Sequence, residues 1–167
     1  MKYRIRAACP NDLPELVRMC FEHASYERAT FDPLNKEAQL ADALFSSTPK
    51  LAAWVAEADG ALVGYATGMI EFSTWAGAIY VHMDCLFVRD GLRGLGVGAK
   101  LLECVTLFAR NSGALEIQWQ TPVWNLDAAR FYERAGASSS QKLRFTLALA
   151  DPGNSRVSRG LGRGAPG

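Results

Sequence analysis

Apolar residues recur along this chain with two periods, near 2 and near 3.6, and the switches between them mark out its elements. Residues 3–8 alternate weakly, as an edge strand does. Asn11 or Asp12 can then cap a helix that carries Leu13, Leu16, Val17, Cys20 and Phe21 on one side. Helical spacing returns over 36–45 and stops before Pro49. Two strand-like runs, 52–58 and 61–70, flank Asp59-Gly60, a dipeptide suited to a tight hairpin turn. Residues 80–88, rich in aromatic and β-branched side chains, predict a further strand. After a glycine-rich turn, Val97, Leu101, Leu102, Val105 and Phe108 recur at helical spacing until Gly113 offers a C-cap. Residues 115–121 read as a strand, Asn125 caps a helix that runs through Arg134 to Gly136, and residues 143–149 alternate as a closing strand.

This order predicts an α/β (α+β) fold: a mixed, mostly antiparallel central sheet with helices on both faces. Only the strand, turn, helix and strand between 80 and 121 must form a parallel pair. A ligand would sit at the carboxyl end of the strand before the glycine turn, where adjacent strands part. The 167 residues, 49% of them apolar, suit one domain over 1–150, followed by a disordered Gly/Arg-rich tail over 151–167. That tail holds Arg156, Arg159 and Arg163 against Asp151, so removing it turns the formal net charge of +1 into −1. A near-neutral body argues against nucleic acid as the main partner. No run approaches the roughly 20 apolar residues of a membrane span, and no leader pattern opens the chain, so a cytoplasmic setting is expected. Cys9, Cys20, Cys85 and Cys104 share no Cys-x-x-Cys spacing, which indicates neither metal nor disulfides and predicts buried thiols.

The most informative stretch is Arg93-Gly94-Leu95-Gly96-Val97-Gly98-Ala99, between the strand over 80–88 and an amphipathic helix. Glycines there let consecutive backbone N–H groups face outward where a helix begins, and the helix dipole adds positive potential: an anion site. A nucleoside-triphosphate loop would need Lys-Ser or Lys-Thr, and Lys100-Leu101 lacks the hydroxyl. A dinucleotide fingerprint is matched by Gly94, Gly96 and Ala99 with Glu116 downstream, but Glu116 falls at the wrong end of its strand and the upstream hairpin breaks a doubly wound order. A turn in which glycine serves geometry alone is the remaining reading of the residues.

From 79 to 137 the chain resembles the GNAT superfamily of acyl-CoA N-acyltransferases. The resemblance rests on Arg93, Gly96 and Gly98 in an Arg/Gln-x-x-Gly-x-Gly/Ala turn, on Asp84-Cys85-Leu86-Phe87-Val88 before it, and on the segment from Asn125 to Gly136 after it. Within that superfamily it is most similar to diamine and polyamine acetyltransferases, the spermidine/spermine and thialysine-directed enzymes, and Tyr26-Glu27 resembles their amine-contacting pair. The resemblance implies acetyl-CoA as cosubstrate, no metal, a small-molecule amine acceptor (diamine, polyamine or lysine-like) and a homodimer. It also leaves open an antibiotic or protein N-terminal acceptor, or a regulatory acyl-CoA-binding module without turnover.

For individual residues the resemblance implies that amides from Gly94, Leu95, Gly96, Val97, Gly98 and Ala99 hold the pyrophosphate, helped by Arg93, with Lys100 nearby. Leu86, Phe87 and Val88 would pair their main chain with the pantetheine arm as another strand does. Asn125 and Ala128 would line the cofactor, although Asn125 is also explained as a helix cap. Tyr132 would protonate the leaving thiolate; a phenol of pKa about 10 against a thiol near 8.5 is an approximately matched pair. Asp84 would orient the amine and pass its proton through water, with His82 as a possible relay. Cys85 should face away from Asp84 on a regular strand, which disfavours an acyl-cysteine intermediate. Tyr26 and Glu27 would bind the acceptor's far end.

Overall fold

The computed structural model describes residues 2–147 and 149. In chain order the elements are β1 (Tyr3–Ala7), a 3-10 turn at Pro10–Asp12, α1 (Leu13–Tyr26), α2 (Lys36–Phe45), β2 (Ala52–Ala58), β3 (Ala61–Ser73), β4 (Ala78–Val88), α3 (Val97–Asn111), β5 (Ile117–Gln118) and α4 (Leu126–Arg134). The sheet runs in the order β1-β2-β3-β4-β5. Its first three pairings are antiparallel and β4 pairs with β5 in parallel, so the expected mixed sheet is present. Asp59 and Gly60 both adopt positive φ, 50° and 80°, as the hairpin turn between β2 and β3 requires.

Strand alternation sends neighbouring residues to opposite faces, and each face has its own core. Ala56, Ala66, Val81 and Met83 pack with Val97, Leu101 and Val105 of α3. Val55, Tyr65 and Phe87 pack with Leu13, Leu16 and Met19 of α1 and Leu44 of α2. Each large side chain buried in this way stabilises by about 2 kcal/mol. Gly64 sets how closely the layers approach, since a Cβ there would lie 2.7 Å from the Phe87 carbonyl oxygen and 3.4 Å from Leu101.

Several expectations need correction. Asp12 stands at the N-cap of α1, but no side-chain capping bond forms. Its carboxylate instead accepts from Arg6 Nη1 at 2.6 Å and Nη2 at 2.8 Å and from the Cys9 amide at 2.7 Å. The Arg6 guanidinium, opposed by burial and aided by the Cys9 amide, holds this carboxyl down at about 2. On α1, Met19 is buried while Phe21 is exposed and meets Phe31 edge-on at 5.8 Å. β3 and β4 run on past the core as a hairpin, pairing Phe72 with Ile79 and Ser73 with Ala78. The strand expected over 115–121 contracts to β5. Residues 143–147 and 149 form no strand, because a strand needs a neighbour's N–H and C=O groups and none is supplied within the described chain. Leu143, Phe145, Leu147 and Leu149 are accordingly 84–88% exposed. The expected tail over 151–167 lies outside the described residues. Of the thiols, Cys9 is exposed and Cys20, Cys85 and Cys104 are partly buried, rather than all being core. Among the described residues no helix is long and apolar enough to cross a membrane, and no cluster of His, Cys, Asp and Glu could hold a metal ion.

Candidate active site

The site begins with a bulge in β4. Thr67 pairs with Cys85 and Gly68 with Met83, so Asp84 is the extra residue, and the strand's alternation slips by one at that point. Val81 and Met83 face α3 before the bulge, and Leu86 and Val88 do so after it, while Cys85 and Phe87 turn toward α1 and α2. The expectation that Cys85 faces away from Asp84 is therefore overturned: both line one cleft, and the Cys85 thiol lies 3.6 Å from Asp84 Oδ2. β5 pairs only with Val81 and His82, upstream of the bulge. Beyond it β4 and β5 part, which opens a wedge bounded by the main chain of residues 84–88.

The glycine turn closes one end of this wedge. Gly91, Gly94 and Gly96 have φ of 77°, 77° and 84°, and α3 starts at Val97 with Gly96 as its N-cap. The Lys100 amide reaches the Gly96 carbonyl at 3.1 Å, leaving the amides before it directed out of the helix end. Leu95 is exposed and Val97 is buried in the core, so neither side chain faces the cleft. Arg93 donates from Nε to the Val88 carbonyl at 3.1 Å, and its guanidinium lies 4.4 Å from the centroid of the Tyr26 ring. Lys100 pairs with Glu103 at 2.6 Å on the exposed side of α3.

The resulting cleft, about 1170 Å³ in volume, is lined by Tyr26, Glu27, Asp84, Leu86, Phe87, Val88, Arg93, Gly94, Gly96, Gly98, Ala99, Asn125, Ala128 and Tyr132. The structure thus gathers nearly every residue singled out from the sequence, with Leu95 and Val97 outside the lining. Asn125 does two things at once: its Oδ1 caps α4 by accepting from the Ala128 amide at 3.3 Å and accepts from the Tyr26 hydroxyl at 3.2 Å. That second bond bridges the end of α1 to the start of α4, and Trp124 extends it by packing against Tyr26 at 5.8 Å and under Arg28 at 4.8 Å.

Tyr132 sits between Trp119, 4.9 Å away between ring centroids, and Phe131, 5.0 Å away. Burial first, then the charge of Glu27 and then Cys85, push its phenol up to about 12. Burial and the neighbouring Asp84 push the Cys85 thiol up to about 12, so this sulfur stays protonated and is a poor nucleophile. Two further residues, not singled out from the sequence, line the same cleft: His23 and Tyr65. His23 continues the inward stripe of α1 that runs through Leu16 and Cys20 and ends at Glu27, a spacing that could have identified it.

The chain matches the family model described as Acetyltransferase (GNAT) family over residues 12–137. It is 32% identical over 143 residues to a thialysine N-epsilon-acetyltransferase of Mus musculus, covering 80% of this chain and 83% of that protein. It is 27% identical over 145 residues to a human spermidine/spermine N(1)-acetyltransferase-like protein 1, covering 81% of this chain and 20% of that one. In fold it is similar to an aminoglycoside N-acetyltransferase solved in complex with CoA, with a TM-score of 0.75 at 18% identity over 89% of this chain and 96% of that one.

Proposed function

The chain is an N-acetyltransferase of the GNAT family, and from that premise we propose that it moves an acetyl group from acetyl-CoA by direct attack onto a primary amine of a small diamine, polyamine or lysine-like molecule. One observation carries the acceptor class. Of the three carboxylates that line the cleft, Asp127 pairs with Arg130, whereas Glu27 and Asp84 have no Arg or Lys partner among the described residues. An ammonium group would meet that unbalanced charge.

In this reading the amides of residues 94–99 and Arg93 hold the pyrophosphate of acetyl-CoA, the main chain of Leu86, Phe87 and Val88 pairs with its pantetheine arm, and Asn125 and Ala128 flank it. An alkyl amine near pKa 10.4 is neutral in only about one part in a thousand at physiological pH, a cost of roughly 4 kcal/mol. Asp84 orients the ammonium and passes its proton through water to solvent. The nitrogen lone pair then forms the C–N bond, the C–S bond breaks, the nitrogen releases its second proton to solvent, and Tyr132 donates its phenolic proton to the departing sulfur before regaining one from solvent. Tyr26 and Glu27 receive the acceptor's far end. The exposed apolar side chains of the β3–β4 hairpin and of Leu143, Phe145, Leu147 and Leu149 support a homodimer, and four unbridged cysteines accord with a cytoplasmic setting.

The test is thiol release from acetyl-CoA against amines of graded charge. Dications and lysine-like amines should give the highest kcat/KM. Neutral or acidic amines that perform equally well would remove Glu27 from the acceptor site, and calorimetry without acetyl-CoA uptake would overturn the proposal entirely.

A further inference from the structure

Behind Glu27 stands a buried polar pair that the transfer chemistry above leaves unused. His23 and Glu27 lie four residues apart on α1, with His23 Nε2 3.5 Å from Glu27 Oε1. On its other side His23 Nδ1 lies 3.1 Å from the hydroxyl of Tyr65, which is 1% exposed. The imidazole is stacked on Phe87 at 5.2 Å and 25°, so it cannot rotate freely. Resting on the acceptor role given to Glu27 above, we propose that His23 is a positioning residue: Tyr65 sets its tautomer, and through Nε2–H it aims Glu27 at the far cation of the acceptor.

The tautomer follows from the donors present. The Tyr65 hydroxyl can donate or accept, whereas the Glu27 carboxylate can only accept, so the arrangement that serves both has the Tyr65 O–H donating to Nδ1. A neutral imidazole then carries its one proton on Nε2, the nitrogen that faces Glu27. Glu27 needs such a neighbour. It stands at the C-cap of α1, where the helix dipole disfavours a carboxylate, and His23 is its only ion-pair partner among the described residues. At 3.5 Å the contact is an electrostatic pairing rather than a short hydrogen bond, so its effect is one of orientation.

The same arrangement responds to acid. Burial, opposed by Glu27 and Asp84 and aided by Arg93, keeps His23 below its ordinary pKa, so it is neutral near pH 7. The groups that face it are Cys20 and Glu27 on α1, Tyr65 on β3, Asp84 and Cys85 on β4, and Arg93 in the glycine turn, with Lys36 of α2 lining the same cleft. Protonation in acid places a positive charge beside Glu27, where it competes with the substrate's distal ammonium.

The experiment compares cadaverine, with two ammonium ends, and pentylamine, with one, both protonated below about pH 7.5. In the wild type, KM for cadaverine should rise several-fold relative to that for pentylamine as pH falls through the titration of His23, which its imidazole ¹⁵N shifts report. His23→Leu should raise the cadaverine KM about fivefold near neutral pH, leaving kcat and the pentylamine KM within about twofold. His23→Gln, which can donate to Glu27 but cannot titrate, should restore the neutral-pH KM and flatten the profile. Imidazole ¹⁵N shifts should report a protonated Nε2 and an accepting Nδ1, and Tyr65→Phe should abolish that preference. A cadaverine-to-pentylamine ratio that does not move with pH, or an Nδ1-protonated imidazole, overturns the proposal without any variant having to fold. Equal KM values for both amines remove Glu27's acceptor role and this inference with it, whereas failure to acetylate either amine overturns the function proposed above.

Discussion

At the residue scale the cleft places two hydroxyl-bearing rings in contrasting roles. Tyr65 is sealed beneath the sheet, while Tyr132 reaches the open wedge between Trp119 and Phe131. A phenol pushed up to about 12 keeps its proton at every working pH, but it is a weaker acid against a thiol near 8.5 than the ordinary phenol assumed from sequence. Burial in the same cleft also destabilises the leaving thiolate, narrowing the gap, and partial donation in the transition state is enough for acid catalysis. Tyr132→Phe should therefore lower kcat about a hundredfold while calorimetric affinity for acetyl-CoA stays within about twofold. An unchanged kcat would reduce Tyr132 to a packing aromatic. The motif around residues 125–136 made this tyrosine conspicuous. His23 carries only the weaker cue of its place on an apolar helical stripe, and it acquires meaning from Tyr65, 42 positions away on another element.

At the element scale, the glycine turn and the β4 bulge both shape the wedge, yet only the turn is visible in the sequence. Positive φ leaves a compositional trace, since it favours glycine. A bulge leaves none, because Asp84 and Cys85 are ordinary strand residues and only the pairing of Thr67 and Gly68 with Cys85 and Met83 reveals the slip. That is why the strand over 80–88 was legible while the side chains' directions after Met83 were not. The turn can be tested by contrast. Gly96→Ala puts a Cβ at φ 84° and 3.2 Å from the Tyr3 hydroxyl, and the left-handed backbone alone costs about 1–2 kcal/mol. Gly98→Ala sits inside α3, with ordinary contacts of 3.6 Å to Phe131, and should stabilise by about 0.5–1 kcal/mol. Denaturant unfolding should thus give opposite signs for the two variants. Acetyl-CoA affinity should fall about tenfold for Gly96→Ala, as the amide cradle distorts.

For the molecule as a whole, two apolar features stand that nothing among the described residues covers. Trp75 is 99% exposed and Phe72 62% exposed on the β3–β4 hairpin, where the two strands outrun both cores. The sequence over 143–149 keeps a strand's alternation, yet residues 143–147 and 149 find no strand partner among the described residues, the one place where periodicity predicted an element that the described chain does not form. Periodicity reports which face an element must bury; it cannot say which molecule buries it. A second copy would supply both the missing main-chain partner and cover for the hairpin, and a stable interface would bury roughly 1,200 Å² or more in total. Sedimentation equilibrium at micromolar concentration should therefore give twice the 18.2 kDa chain mass. Trp75→Glu, which sets a charge in the middle of that cover, should weaken association at least about tenfold while leaving the unfolding midpoint of the isolated chain in place. A wild type that sediments as a single chain, or a Trp75→Glu protein that associates as tightly as the parent, would leave the hairpin and the alternating segment as exposed apolar surface of a monomer.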